Sequence, residues 1–154
     1  WANEGFTDAL GLTDQEDGEA NTQKMRESGI AANIPILEYC KDGWYLPARN
    51  EMEAVFNAYN GGPSQSIGLK PDAIKQEEKD ARAAWDKILT DNGGDVMNVK
   101  ADNTAGDSYF TSTEADDASK VFYVRFGQWN PGLTGAKYAK SPARYVRCIR
   151  KISK

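Results

Sequence analysis

Two short patterns of hydroxyl and acidic residues are the places where this sequence could carry out hydrolytic chemistry. Ser112 and Glu114 lie two positions apart and could act as a nucleophile with its base. The adjacent Asp116 and Asp117 could serve glycoside hydrolysis, but only if they were held at a defined separation. The chain has no histidine, so the commonest general base is missing. Because adjacent acids in a turn are usually solvated, we predict no catalytic residue and no enzymatic activity.

The two cysteines, Cys40 and Cys148, are the other candidates for chemistry. They cannot form a structural zinc site without histidines. They can form one disulfide or remain two buried thiols, and their number alone does not decide between these states.

Composition and charge limit the class of protein. The 154 residues are 40% apolar and 27% charged, which is typical of one folded domain, and no apolar run approaches the roughly 18 to 20 residues that cross a bilayer. The net charge of −4 conceals a basic end, since residues 121–154 contain Lys and Arg but no Asp or Glu. Such an end could bind nucleic acid or anionic glycans. Its basic residues alternate with Tyr145, Val146 and Ile149, so we predict that it folds against the acidic half and expect no nucleic-acid partner.

The first half of the chain has mainly helical spacing. We expect residues 1–17 to form an edge strand and a loop. Apolar spacings predict a helix from Gly18 to about Lys41, with a kink or break at Gly29 and Pro35.

Two further helices are predicted, from about Ala48 to Tyr59 and from about Pro71 to Asp91. The charged outer face of the last one is expected to be solvated; it consists of Lys75, Glu77, Glu78, Lys79 and Asp80. The aromatic residues expected in the core are Trp44, Phe56, Trp85, Phe122 and Phe126.

The last third of the chain has the two-residue period of strands. Strands are predicted at Tyr109–Thr113, at Val121–Phe126 and at Arg144–Ile152, with a loop or ribbon over Gly127–Pro142 before the last. Because helices come first and the sheet mostly last, we predict an α+β fold with two to three helices packed on a small, twisted, mainly antiparallel sheet.

Four segments, in this order, resemble a known family. They are Asp17-Gly18-Glu19-Ala20-Asn21-Thr22, then Cys40-Lys41-Asp42-Gly43-Trp44-Tyr45-Leu46-Pro47 with Arg49-Asn50-Glu51-Met52, then Tyr109-Phe110-Thr111-Ser112-Thr113-Glu114, and finally Tyr145-Val146-Arg147-Cys148-Ile149-Arg150. The family is the bacterial C-type-lectin-like domain related to the formylglycine-generating-enzyme fold, which is found in surface and fimbrial-tip proteins and is similar to the variable proteins that diversity-generating retroelements mutate. Ala48 and Phe110 depart from the usual Ser and Trp, and without the Ser hydroxyl the helix loses a cap that contributes about 1 kcal/mol.

The resemblance implies a fold and a compartment. Residues 1–154 would form a single C-type-lectin-like domain, the C-terminal part of a larger secreted or surface protein. In this fold the first helix and the last strand lie side by side, which implies a disulfide between Cys40 and Cys148. Closing a loop of about 100 residues would stabilise the fold by about 4 to 5 kcal/mol, and a disulfide implies a location outside the bacterial cell or on its surface. Catalytic relatives need a reactive cysteine pair in one pocket, so their activity is not implied.

The loop before the last strand is the expected ligand-binding surface. Trp129 and Tyr138 are large aromatic residues in a segment without core periodicity, although Trp129 could instead cap the sheet. The predicted binding residues are Gln128, Trp129, Asn130, Lys137, Tyr138 and Lys140. Sugar-binding C-type lectins hold calcium through a Trp-Asn-Asp sequence and a second acidic tripeptide, neither of which is present, so we expect no metal and no cofactor.

The expected function is an extracellular ligand-binding or adhesin module whose partner is a protein or glycan on another cell surface. In retroelement-diversified relatives the varied positions correspond to residues 116–143. The alternative is a structural surface or pilus-tip assembly domain that contacts other fimbrial or surface subunits. A third hypothesis, polyanion binding by the basic end, predicts steep weakening with salt.

Overall fold

A computed structural model of the chain describes residues 1–63, 75–97, 108–117, 119–126, 137–140 and 144–152. Within these ranges three α-helices precede a three-stranded antiparallel sheet, so the predicted α+β class is confirmed. The elements are α1 (Gly18–Glu27), α2 (Arg49–Tyr59), α3 (Gln76–Asp91), β1 (Ser108–Glu114), β2 (Lys120–Arg125) and β3 (Lys137–Ala139).

Helix α1 begins at a capping residue and is much shorter than predicted. The Asp17 carboxylate accepts a first-turn N–H at 3.0 Å. The predicted continuation to Lys41 is wrong, because Gly29 has a φ of +74° through which a right-handed helix cannot pass. Two 3-10 turns follow, Ala31–Asn33 and Pro35–Glu38, and the second begins at the proline.

Helix α2 lies where the sequence predicted it, and its buried side chains are Met52, Phe56 and Tyr59. Helix α3 ends at Asp91 as predicted, whereas the predicted start at Pro71 lies outside the described residues.

The buried face of α3 differs from the prediction. Glu78, expected in solvent, is buried together with Arg82, whereas Trp85, expected in the core, is 39% exposed. Arg82 is held inside because its guanidinium donates to the Asn60 side chain at 2.8 Å and to the Phe126 carbonyl at 3.3 Å. Arg82, whose head group makes two hydrogen bonds, therefore packs inside the fold, where the apolar pattern had predicted the Trp85 side chain.

The sheet has the order β1-β2-β3. Tyr109 faces Val124 across the first strand pair, but the register shifts between Phe110 and Glu114. Such an irregularity takes backbone groups out of the ladder and turns them toward other partners. The Ser112 N–H accordingly donates to a carbonyl of the segment before α2, at 2.8 Å.

Buried apolar clusters lie on both faces of the sheet. Along β2 and the residue after it, Val121 and Tyr123 belong to one cluster, and Val124 and Phe126 to the other. The first cluster contains residues of α1 and the 3-10 turns, and the second contains residues of α2, including Phe56, whose ring centroid lies 5.3 Å from that of Phe126. Phe56, Phe122 and Phe126 are buried, as predicted.

Two predicted strands are not formed. Residues 1–17 contain no strand, although the Leu12 carbonyl accepts the Glu114 N–H at 2.8 Å. Residues 144–152 make two isolated bridges, from Tyr145 to β1 and from Ile149 to Tyr45. Because this segment pairs with β1 at one end and with the chain before α2 at the other, a continuous ladder does not develop.

The disulfide between Cys40 and Cys148 is confirmed. It joins the second residue after the 3-10 turn Pro35–Glu38 to the terminal segment (residues 144–152), with the two Cα atoms 5.4 Å apart. Cys40 thus lies between α1 and α2 and is not part of α1.

Candidate functional site

The polar side chains of the motif segments meet in one region of the molecule. We call this region the polar joint; it consists of Asn21, Thr22, Glu51, Ser112, Thr113 and Glu114. All of them except Glu51 are buried. The joint connects the N-terminal turn of α1, the segment before α2 and strand β1.

Glu51 links the starts of the first two helices. One carboxylate oxygen accepts the N–H groups of Gly18 at 3.0 Å and Ala48 at 2.9 Å, and the other accepts the Tyr45 hydroxyl at 3.0 Å. Helix N-termini have free amides and favour a negative charge, so one carboxylate serves both helices. Burial, together with the hydrogen bond to Glu51, raises the pKa of Tyr45 to about 12. A Cβ on Gly18 would lie 2.4 Å from the Leu46 carbonyl oxygen, so only glycine fits.

The cap that Ala48 cannot provide comes from the sheet. The Thr113 hydroxyl accepts the Arg49 N–H at 3.0 Å, and the Gln15 carbonyl accepts the next amide at 2.9 Å. With the contribution of Glu51, the first turn of α2 is satisfied by partners from three parts of the chain. The expected loss of about 1 kcal/mol is therefore offset by tertiary contacts.

Asn21 and Thr22 fix α1 to its neighbours. The Asn21 amide donates to the Ser112 hydroxyl at 3.2 Å. The Thr22 hydroxyl accepts the Leu46 N–H at 3.0 Å, and the Ser112 N–H donates to the Pro47 carbonyl at 2.8 Å. These bonds hold a helix, a strand and a loop in one arrangement.

A buried ion pair lies at the far end of the joint. The Glu114 carboxylate accepts the N–H groups of Leu10 and Leu12, each at 3.0 Å, and pairs with the Lys140 ammonium. Lys140 also donates to the Asp8 carbonyl at 2.6 Å. The side chains of the pair are 4% and 0% exposed, so both charges are satisfied inside the fold.

The hydrolytic arrangements considered from the sequence are not formed. The Ser112 hydroxyl is buried and bonded to Asn21, and the Glu114 carboxylate is occupied by amides and by Lys140. Lys120 lies 2.6 Å from Asp117 and lowers the pKa of that carboxyl, so Asp117 is ionised and cannot donate a proton. In the described ranges, no group of three or more His, Cys, Asp or Glu side chains could hold a metal ion.

The predicted ligand-binding residues are described only in part. Gln128, Trp129 and Asn130 lie outside the described residues. The backbone of Lys137 and Tyr138 belongs to β3 and pairs with β2. Lys140, expected at the surface, instead lies inside the fold, where its charge is used by the pair with Glu114.

A surface groove of about 720 Å³ was not predicted from the sequence. We call it the apolar groove; helices α2 and α3 and the terminal segment form its walls. Trp44 and Trp85 line it and are 40% and 39% exposed, so the prediction that they lie in the core is wrong. Ile88 and Ile152 also line it, with exposures of 54% and 81%.

The charges along the apolar groove have one sign. Among the described residues, its lining includes Arg147 and Arg150 and no Asp or Glu. The Arg150 guanidinium lies 4.9 Å from the centre of the Trp44 ring, while Arg147 donates to the Asp95 carbonyl at 2.9 Å. The groove is therefore apolar with a positive rim.

One sequence signal could have indicated the groove. Trp85 and Ile88 lie three positions apart on a helix that is otherwise mostly charged. This spacing puts both on one face of the helix, but it does not distinguish a face that packs in the core from one that lines a groove.

In the described part of the chain, no helix is long and apolar enough to cross a membrane. Comparison of the chain with protein-family models, with curated proteins and with solved structures found no match.

Proposed function

We propose that the chain is an extracellular ligand-binding or adhesin module on a C-type-lectin-like scaffold, and that it has no enzymatic activity. The ligand would contact the segment that includes Gln128, Trp129, Asn130, Lys137 and Tyr138. The alternative proposal is a surface or pilus-tip assembly domain without a ligand of its own.

The observation that carries the proposal is the way both ends of this segment are held. Residues 127–136 connect the antiparallel strands β2 and β3. Phe126, directly before the connection, is fully buried, and Lys140, directly after β3, is paired inside the fold. A Gly- and Pro-containing connection between two fixed points is typical of recognition loops on rigid scaffolds.

The polar joint supports binding over catalysis. The hydroxyl and carboxylate groups of the joint form hydrogen bonds with backbone groups and with other side chains of the protein. A catalytic group has to reach a substrate, which these groups cannot do while they hold the elements together.

The scaffold and the compartment are supported by two features. The terminal segment returns to pair with both β1 and Tyr45, the residue before Leu46. The Cys40–Cys148 disulfide is compatible with an oxidising compartment.

The proposal is tested with Trp129→Ala and Tyr138→Ala variants of the whole chain. The unsubstituted protein is first applied to glycan and cell-surface-protein arrays, with and without calcium. We expect the Trp129→Ala variant to lose about tenfold or more in affinity for any ligand found, since Trp and Tyr side chains often dominate binding. Tyr39→Ala is the matched control, because Tyr39 is an aromatic residue with 75% exposure and lies outside this segment of the sequence.

Two results would contradict the proposal. Unchanged binding by the Trp129→Ala and Tyr138→Ala variants would remove the segment from the ligand site. Unchanged binding together with failure to assemble with other surface subunits would favour the alternative. The retroelement hypothesis is tested separately, because close copies of the chain should then differ mainly within residues 116–143.

A further inference from the structure

The apolar groove is a second candidate surface. Its walls come from α2, α3 and the terminal segment, and not from Lys140 or the other described residues next to the segment proposed above. Four large apolar side chains are exposed along it, Trp44, Trp85, Ile88 and Ile152. Scattered exposed apolar residues need no explanation, but several along one groove indicate a contact surface.

The positive charge of the groove indicates which charged group a binding partner would carry. Arg147 and Arg150 line it, and no Asp or Glu does so within the described ranges, although the whole chain has a net charge of −4. In the part of the chain that the structure describes, neither guanidinium forms an ion pair. The neighbouring Lys151, which lies outside the groove, is by contrast 2.9 Å from Glu19.

Both guanidinium groups are held in place while their charge is left for a ligand. Arg150 is stacked on Trp44. Arg147 donates to the carbonyls of Asp95 and Val96, at 2.9 and 3.3 Å, and its Nε is buried without a partner among the described residues. Backbone carbonyls and an aromatic ring position a guanidinium without neutralising it, so an anionic group is the complement that the groove lacks.

The composition of the groove favours a polypeptide over a small apolar molecule. Trp, Tyr and Arg are the residues most enriched in the centres of protein interfaces. All three line this groove, whereas no Lys, Asp or Glu does so in the part of the chain that the structure describes. A small apolar ligand usually occupies a cavity that encloses most of its surface, whereas here Ile88 and Ile152 are more than half exposed.

We propose that the apolar groove is a docking site for a short peptide segment of a partner protein that carries large apolar side chains and at least one carboxylate. The apolar side chains contact Trp85, Ile88 and Ile152, and the carboxylate pairs with Arg147 and Arg150. This inference is independent of the proposed role of Trp129.

A library of random short peptides displayed on phage, selected against the whole chain, provides the test. We expect enriched peptides to combine Leu, Ile, Phe or Trp with Asp or Glu. Synthetic copies should bind about tenfold or more weakly to the Trp85→Ser, Ile152→Ser and Arg150→Glu variants. Their affinity for the unsubstituted protein should also fall as salt is raised, because the ion pair is partly exposed.

Three controls make the result specific. Lys151→Glu reverses an adjacent charge outside the groove and should leave peptide binding unchanged. Trp129→Ala should also leave it unchanged, which separates this inference from the proposed function. Selection against Arg150→Glu should enrich peptides with Lys or Arg in place of Asp or Glu. The melting temperature of each variant shows whether it folds. If Trp85→Ser does not fold, Ile152→Ser still tests the groove, because Ile152 is mostly exposed.

The proposal is overturned if no peptide is enriched, or if the enriched peptides bind the groove variants as tightly as the unsubstituted protein. It is also overturned if dodecanoate binds in a groove-dependent manner while no peptide does, because the occupant would then be a fatty-acid-like amphiphile.

Discussion

The polar joint and the apolar groove are built from overlapping parts of the chain and have opposite character. Helix α2 contributes to both, with Glu51 at its start in the joint and Val55 farther along in the groove. In the joint nearly every polar group has a partner within the protein, whereas the groove leaves apolar side chains exposed and has two guanidinium groups without an ion pair among the described residues.

The difference indicates which residues serve the fold and which are free for another molecule. The residues that looked most like chemistry in the sequence, Ser112 and Glu114, turn out to connect elements. The residues that looked most like core, Trp44 and Trp85, line a surface. Substitutions in the joint should thus change stability more than those in the groove.

The largest effect is expected for Lys140→Met. It leaves the Glu114 carboxylate buried without its counter-charge, which should lower the free energy of unfolding by about 3 to 5 kcal/mol. Chemical denaturation measures the change. The double variant Lys140→Met with Glu114→Gln should recover part of the loss; if the single variant is as stable as the unsubstituted chain, the pair does not contribute as described.

A slightly smaller effect is expected for Gly18→Ala. The new methyl group would lie 2.4 Å from the Ala48 nitrogen and the Leu46 oxygen, so the starts of α1 and α2 would have to separate, at about 3 kcal/mol. Gly94→Ala is a matched control, because its Cβ would come no closer than 3.3 Å to its neighbours. Equal thermal stability of the two variants would contradict the close approach at Gly18.

A pH-dependent effect is expected from Tyr45. Its pKa is raised from 10.0 to about 12, so the folded state favours the neutral phenol. This contribution to stability is fully present below pH 10 and is lost as the pH rises toward about 12. Denaturation across this range should show a smaller decline for Tyr45→Phe than for the unsubstituted chain. The same decline in both would assign it to other groups.

The smallest effect is expected in the groove. Ile152 is 81% exposed, so Ile152→Ser should change the free energy of unfolding by less than about 0.5 kcal/mol. A loss comparable to that of Gly18→Ala would show that the groove is part of the core, and the contrast between the two regions would not hold.

The pattern of the sequence predicts the periodic elements well. The stripe of α2 and the alternation of β2 follow from the periods 3.6 and 2, because each has one face in an apolar cluster. The end of α1 was predicted only as a kink or break at Gly29 and Pro35; the positive φ of Gly29 decides that the helix stops.

Features that depend on contacts between distant segments could not be predicted in this way. That Thr113 would cap α2, or that Arg82 would reach the Phe126 carbonyl, follows from how the sheet packs on the helices. The same applies to the terminal segment, whose alternation indicates a strand although its pairing changes partner along the way. Periodicity describes one element at a time, and these features belong to pairs of elements.

The disulfide has a mechanical consequence. Cys40 and Cys148 are separated by 108 positions, so the covalent bond closes most of the chain into a ring. Tension applied through the segments before Cys40 and after Cys148 passes directly across the sulfur atoms, and the polar joint's links from β1 to α2 lie within the ring. About 380 Å of extensible chain is thereby withheld from stretching. Under tension, only the segments before Cys40 and after Cys148 would extend until the disulfide was reduced.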